Sequence, residues 1–190
     1  MVFFPTLAQA KSILVLGDSI SANHGFEAQH GWVTLLQQKL NASHAEYTIY
    51  NASISGDTSA GGLARLPQLL KLYKPEILLL ELGANDGLRG MSLISMQKNL
   101  STIIAEAKKS GAEVLLLSMR IPSNYGKRYT DMFYSSYEKV AREQNISVVP
   151  FILNGIALDK SQMQNDGLHP NEKAQPIIAN HVAAYLLPLL

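Results

Sequence analysis

Ser12-Ile13-Leu14-Val15-Leu16-Gly17-Asp18-Ser19-Ile20-Ser21 begins as an unbroken apolar run and turns polar at a glycine. The run Ser12–Leu16 has strand length and no polar alternation, the pattern of a strand buried on both faces of a parallel sheet. Four more such runs follow, at Tyr47–Tyr50, Glu76–Leu80, Val114–Leu117 and Val148–Phe151. Between them apolar residues recur every three or four positions, as on a helix face. Leu63, Leu66, Leu70 and Tyr73 form one stripe, and Leu93, Met96, Leu100, Ile103 and Ala107 another. Met132, Phe133, Ser136, Tyr137 and Val140 make a third; Ile177, Ile178, Val182, Tyr185 and Leu186 make the last.

The boundaries agree with this division. Lys108 and Lys109 suit the negative end of a helix dipole, and Gly111 is a natural C-terminal stop. Pro75 separates the Leu63 stripe from the next strand, whereas Pro67 inside that stripe implies a kink or a later start. Strand and helix in regular alternation predict one α/β domain over residues 11–190. The expected architecture is a three-layer α/β/α sandwich around a five-stranded, parallel, doubly wound sheet of flavodoxin-like type.

Composition narrows the chemistry. The 190 residues are 47% hydrophobic, enough for a substantial core, and carry a formal net charge of +1. So small a charge argues against nucleic acid as a partner. With no cysteine, thiolate catalysis, disulfides and sulfur-ligated zinc are excluded. No window beyond the N-terminus is apolar over the roughly 18 residues a membrane span needs. The first ten residues, MVFFPTLAQA, end in an Ala8-Gln9-Ala10 pattern of the kind a signal peptidase accepts, yet lack a basic leader. They are expected to be the remnant of an export signal, with the mature chain beginning at Lys11; the alternative is a loose hydrophobic N-terminus.

In a doubly wound sheet ligands bind beyond the carboxyl ends of the strands. The loops expected there carry four unusual segments. Gly17-Asp18-Ser19-Ile20-Ser21 places a serine just past a buried strand and before an expected helix, though Gly, Asp and Ser are also ordinary turn formers. Asn51-Ala52-Ser53-Ile54-Ser55-Gly56-Asp57-Thr58 offers a glycine whose backbone can approach a ligand, or simply a loop leading to an N-cap at Asp57, Thr58 or Ser59. Gly83-Ala84-Asn85-Asp86-Gly87 holds an asparagine able to donate to a developing oxyanion, or a plain turn. Asp166-Gly167-Leu168-His169-Pro170 is the most telling, because an aspartate three residues before a histidine can hold the imidazole in one tautomer, although a histidine near a helix start is otherwise a solvated or capping residue. His24, His30, His44 and His181 have no carboxylate partner at comparable spacing in an expected strand-end loop, and His24 and His30 lack obvious further ligands for a metal. Arg65, Arg89, Arg120 and Arg128 are candidate anion ligands or solvated surface. The G-x-S-x-G elbow of α/β-hydrolases is absent. Serine, glycine, asparagine and an Asp-x-x-His pair on one expected sheet edge make a complete hydrolase set.

These residues resemble the SGNH hydrolases, also called GDSL esterases, whose four blocks are matched by Ser19, Gly56, Asn85 and His169. The similarity runs from Lys11 to Leu190. Within the family the chain resembles the bacterial thioesterase I, lysophospholipase and arylesterase branch, through Leu16–Ser19, Asn51–Ser59, Gly62–Pro67 and Asn85–Gly90. The resemblance implies Ser19 as nucleophile, His169 as base and Asp166 as its orienting carboxylate. It also implies an oxyanion hole made by the Ser19 and Gly56 amides and the Asn85 side chain, with no metal or cofactor. Expected substrates are small acyl esters, acyl thioesters or lysophospholipids; a carbohydrate O-acetylesterase and a non-catalytic acyl-binding module are the rivals. The branch is periplasmic or secreted, and its counterpart of Gly83–Met91 is a mobile loop lining the acyl site. Ala84 stands where the branch often has a second glycine, which implies a stiffer loop here.

Overall fold

The computed structural model describes residues 11–190, so the Ala8-Gln9-Ala10 pattern lies outside the described residues. Five strands, β1 (Lys11–Gly17), β2 (Tyr47–Asn51), β3 (Ile77–Glu81), β4 (Glu113–Leu117) and β5 (Ser147–Val149), form one sheet in the order β2-β1-β3-β4-β5. All four pairings are parallel. Ile13 to Leu16 and Leu78 to Leu80 are wholly buried, as strands covered on both faces must be. Edge strand β2 leaves Tyr50 partly exposed.

Helices cover both faces. On one, α1 (Trp32–Ser43) packs on α6 (Gln175–Leu186); on the other, α2 (Ser59–Tyr73), α4 (Leu93–Lys109) and α5 (Lys127–Gln144) pack in succession. A short α3 (Ala84–Leu88) follows β3. The chain therefore goes one way from β1 to β2 and the other way from β3 onward. The order reverses between β1 and β3, which opens a crevice at their carboxyl ends.

Three local expectations are corrected. α2 starts before Pro67, not after it: Thr58 caps it by accepting from the Gly61 N–H at 3.2 Å, and burial of Leu66 and Gly62 against the sheet carries the helix through the proline. β5 covers Ser147–Val149 rather than Val148–Phe151, because Pro150 has no N–H to continue the ladder. Helix α1 was not expected, although Trp32, Val33, Leu36 and Leu40 are its buried stripe. It starts at Gly31 without a side-chain cap, so the usual start signal is missing. Met132, Ile177 and Tyr185, all counted in apolar stripes, are partly exposed on their helices.

Among the described residues, no helix is long and apolar enough to cross a membrane.

Candidate active site

Ser19 lies two residues past β1, at the reversal point. No helix follows it directly, contrary to expectation: Ala22 N–H donates to Asp18 O at 2.9 Å and His24 N–H to Ser19 O at 3.3 Å, a set of tight turns that ends before Trp32. The turn needs Gly17, since a Cβ there would sit 2.7 Å from Glu81 Oε2 and 2.8 Å from Ser21 Oγ.

The segment bearing Asp166 and His169 doubles back on itself. Gln164 N–H donates to His169 O at 2.8 Å and Asn171 N–H to Gln162 O at 2.8 Å. Asp166 Oδ1 accepts from the Leu168 and His169 main-chain N–H groups at 2.9 and 3.0 Å. That fixes the carboxylate so that Oδ2 meets His169 Nδ1 at 2.7 Å. On the other side of the ring, Nε2 lies 2.9 Å from Ser19 Oγ, across 150 residues of chain. Burial alone would raise the Asp166 carboxyl, but the hydrogen bonds from His169 and the two main-chain N–H groups outweigh it and hold it at about 2. An ionised carboxylate only accepts, so the proton belongs on Nδ1 and Nε2 is left to accept from the Ser19 hydroxyl.

Asn85 joins the other two blocks. Its Nδ2 donates to Asp18 Oδ2 at 3.1 Å and to Asp57 O at 2.9 Å. Asp18 and Asp57 are the chain neighbours of Ser19 and Gly56, so one amide ties the serine turn to the glycine turn. Gly56 has φ +80, a left-handed conformation that suits glycine, and its carbonyl accepts from Arg89 Nη2 at 2.9 Å. Among the described residues, neither the Ser19 nor the Gly56 main-chain N–H is spent on another protein group. Two free donors and the Asn85 amide thus flank the serine, which suits an incoming negative oxygen. All five residues picked from the sequence, Ser19, Gly56, Asn85, Asp166 and His169, meet at this crevice.

Sequence reasoning missed the floor of the site. Asp18 and Glu81 are both buried; Glu81 Oε2 accepts from Ser21 Oγ at 2.7 Å and from the Asp18 N–H at 3.2 Å. The signal was a charged residue closing the apolar run Ile77–Leu80. Burial pushes Glu81 well above the ordinary carboxyl range, and the Asp18 charge adds to the rise. Burial likewise carries Asp18 up to about 6, against the opposing Ile20 N–H. Both carboxyls are thus pushed to hold their protons to higher pH than ordinary carboxyls do. A carboxyl whose folded pKa lies above its unfolded one adds stability that is complete below about pH 4 and is lost as the pH rises through about 6 and beyond. Glu81→Gln, neutral and of the same shape, is expected to flatten the decline of melting temperature from about pH 5 to about pH 8, read from thermal melts of both proteins across that range.

The arginines divide. Arg65 pairs with Asp57 at 2.8 Å and also donates to Ala52 O, bracing the Gly56 turn. Arg120 stacks over Tyr134, 3.6 Å from the ring centre. The expected mobile segment Gly83–Met91 is largely helical through α3, with Ala84 buried. His24, unassigned in the sequence, lies over His169 with ring centres 4.2 Å apart. His24, Asp166 and His169 are a group whose donor atoms are close enough to take a metal ion.

A Ser–His–Asp chain at the switch point of a parallel α/β sheet, with free amides beside the serine, defines a serine hydrolase. The GDSL-like lipase/acylhydrolase family model matches residues 15–176, and the chain belongs to that family. It is 47% identical over 190 residues to esterase TesA of Pseudomonas aeruginosa, covering 100% of this chain and 94% of that one. It is 44% identical over 183 residues to thioesterase 1/protease 1/lysophospholipase L1 of Escherichia coli K12, covering 96% and 86% of the two chains. The crystal structure of TesA superposes with a TM-score of 0.93 at 48% identity, over 95% of this chain and 100% of that one.

Proposed function

We propose that this chain hydrolyses acyl esters and thioesters, lysophospholipids among them, through an acyl-enzyme on Ser19. The observation that carries the proposal is the unbroken hydrogen-bonded line from Ser19 Oγ through His169 to Asp166, at 2.9 and 2.7 Å. His169 Nε2 takes the hydroxyl proton as Oγ bonds to the acyl carbon. The tetrahedral oxyanion is held by the Ser19 and Gly56 N–H groups and by Asn85. Its collapse breaks the acyl–O or acyl–S bond, and His169 returns the proton to the departing alcohol or thiol. Water, deprotonated by His169, then attacks the acyl-serine; the acyl–Oγ bond breaks, His169 returns the proton to Ser19 Oγ, and the carboxylic acid leaves.

A place for the acyl chain supports the proposal. A cavity of about 820 Å³ adjoins the His169 turn, lined by Ile121, Phe151, Leu153, Met163 and Leu168 among others. Arg120, Asn154 and Asp159 also line it, so its walls are mixed, and its apolar part is what suits a fatty chain better than an acetyl group on a sugar. The test is hydrolysis of p-nitrophenyl esters of increasing length, an acyl-CoA and a lysophospholipid. Turnover that rises from acetyl to medium chains supports the reading. Acetate release from acetylated glycans without cleavage of longer chains would replace it with the deacetylase. Acyl binding without turnover or fluorophosphonate labelling would leave only a binding module. The Ala8-Gln9-Ala10 pattern supports export to the periplasm or beyond, which N-terminal sequencing of the protein recovered from a bacterial periplasm checks.

Asn85→Ala is expected to lower kcat by about 100- to 1,000-fold, the usual cost of one oxyanion donor. KM should move far less, because the charge it stabilises is absent from the bound ester. In the free enzyme one Asn85 N–H faces the Asp18 carboxylate, so that contact must yield to the oxyanion. Steady-state kinetics on one ester, with a melting curve to confirm folding, decides the point.

A further inference from the structure

We propose that His24, His169 and Asp166 form an inhibitory site for a zinc-like divalent ion at the mouth of the crevice. The inhibitory half of this rests on His169 being the catalytic base; the binding half rests on geometry alone. One ring nitrogen from each histidine and one Asp166 carboxylate oxygen lie within 4.8 Å of one another. Two imidazoles and a carboxylate are a common donor set for zinc, with bonds of about 2.0–2.2 Å and the fourth position left to water. Adjacent donors around a tetrahedral ion are then about 3.3 Å apart. The closing movement falls to the His24 side chain, which is exposed and, among the described residues, makes no side-chain hydrogen bond, while Asp166 Oδ2 and His169 Nδ1, 2.7 Å apart, open slightly if both take the ion.

The backbones that carry the two rings are joined. Gln164 Nε2 donates both to His24 O at 2.7 Å and to Pro170 O at 3.0 Å, while its own N–H donates to His169 O. One residue thus fixes the spacing between the two histidine segments, and the rings stack at 4.2 Å with a 35° tilt. His30, the other histidine of that loop, faces Glu172 at 3.3 Å and takes no part.

An ion bound here disables the relay whichever His169 nitrogen it takes. At Nε2 it occupies the lone pair that accepts the Ser19 proton; at Nδ1 it displaces the proton held by Asp166. At Nδ1 the displaced proton passes to solvent; at Nε2, which carries no proton at rest, the ion displaces only the Ser19 hydroxyl. Magnesium and calcium, which select oxygen ligands, are not expected to bind.

The test uses the full-length protein in a non-chelating buffer. Zinc and cobalt(II) are titrated in by calorimetry and by the visible absorption of cobalt, and ester hydrolysis is followed in parallel. The expected result is one ion per chain, cobalt bands of a nitrogen and oxygen site, and inhibition by zinc that a chelator reverses. His24→Phe, which keeps a ring over His169, should weaken zinc binding and inhibition by about 100-fold, since even a residue that only hydrogen-bonds a metal ligand is worth about 10- to 100-fold. Its turnover without metal should match the parent, and His30→Phe should bind zinc like the parent. Equal zinc affinity in His24→Phe and the parent, or no binding to the parent, overturns the site. Stoichiometric, His24-dependent binding that leaves turnover intact overturns the inhibitory role and with it His169 as base, whereas a missing site leaves the catalytic reading untouched.

Discussion

Ser19→Ala is expected to lower kcat on a medium-chain p-nitrophenyl ester by about a millionfold, leaving only the slow attack of water within the crevice. The size follows from what the hydroxyl does. It supplies the attacking atom, so its removal deletes the acyl-enzyme path rather than weakening a contact, and losses of that order accompany nucleophile deletion in serine hydrolases. The oxyanion donors and bound water would still give some residual rate. Stability should scarcely change, because the side chain is only partly buried and, among the described residues, its one hydrogen-bond partner is His169. Kinetics on an extensively purified variant, with fluorophosphonate labelling of parent and variant, reads the result. A variant retaining a tenth of the parental rate would remove Ser19 from the mechanism.

Asp166→Asn carries the second largest effect, a loss of about 10,000-fold in kcat. An asparagine can keep Oδ1 on the Leu168 and His169 N–H groups, so the turn survives. Its NH₂ then faces His169 Nδ1, which must become the acceptor. The ring proton moves to Nε2 and points at the Ser19 oxygen, so the base is blocked while every heavy atom stays in place. Part of the rate should return at high pH, where hydroxide can stand in for the base. Asp166→Ala, which also removes the turn contacts, should lose comparable activity and some thermal stability. Equal rates for parent and Asp166→Asn in a kcat comparison would show that His169 needs no orienting carboxylate. In the parent the carboxyl is held at about 2. Its contribution to folding is therefore present above about pH 4 and fades only as the pH falls toward about 2, outside any range in which the enzyme would be assayed.

Much of this site was legible because each part carries its own local signal. The buried strand before Ser19, the turn glycines and the Asp166-x-x-His169 spacing all lie within single short segments. The sheet was equally plain, since runs such as Leu78-Leu79-Leu80 read the same on both faces. What escaped depends on packing between distant segments. Glu81 looked like a strand end, and only burial beside Asp18 makes it a proton-holding floor. His24 had no partner in its own stretch, and its neighbour His169 is brought to it by Gln164. Helix α1 escaped for a different reason: its stripe was present, but Gly31 gives no capping oxygen to announce it. Pro67 misled because intrinsic propensity lost to burial of Leu66 against the sheet.

The distance along the chain between Ser19 and His169, 150 positions, makes the enzyme a late bloomer. While the C-terminal portion is still being synthesised, the serine has an alcohol's ordinary reactivity and can attack nothing. In a refolding experiment on the full chain, catalysis can return no sooner than the turn bearing His169 has docked beside Ser19. Hydrolytic power therefore waits for the last-made segment to reach one of the first-made.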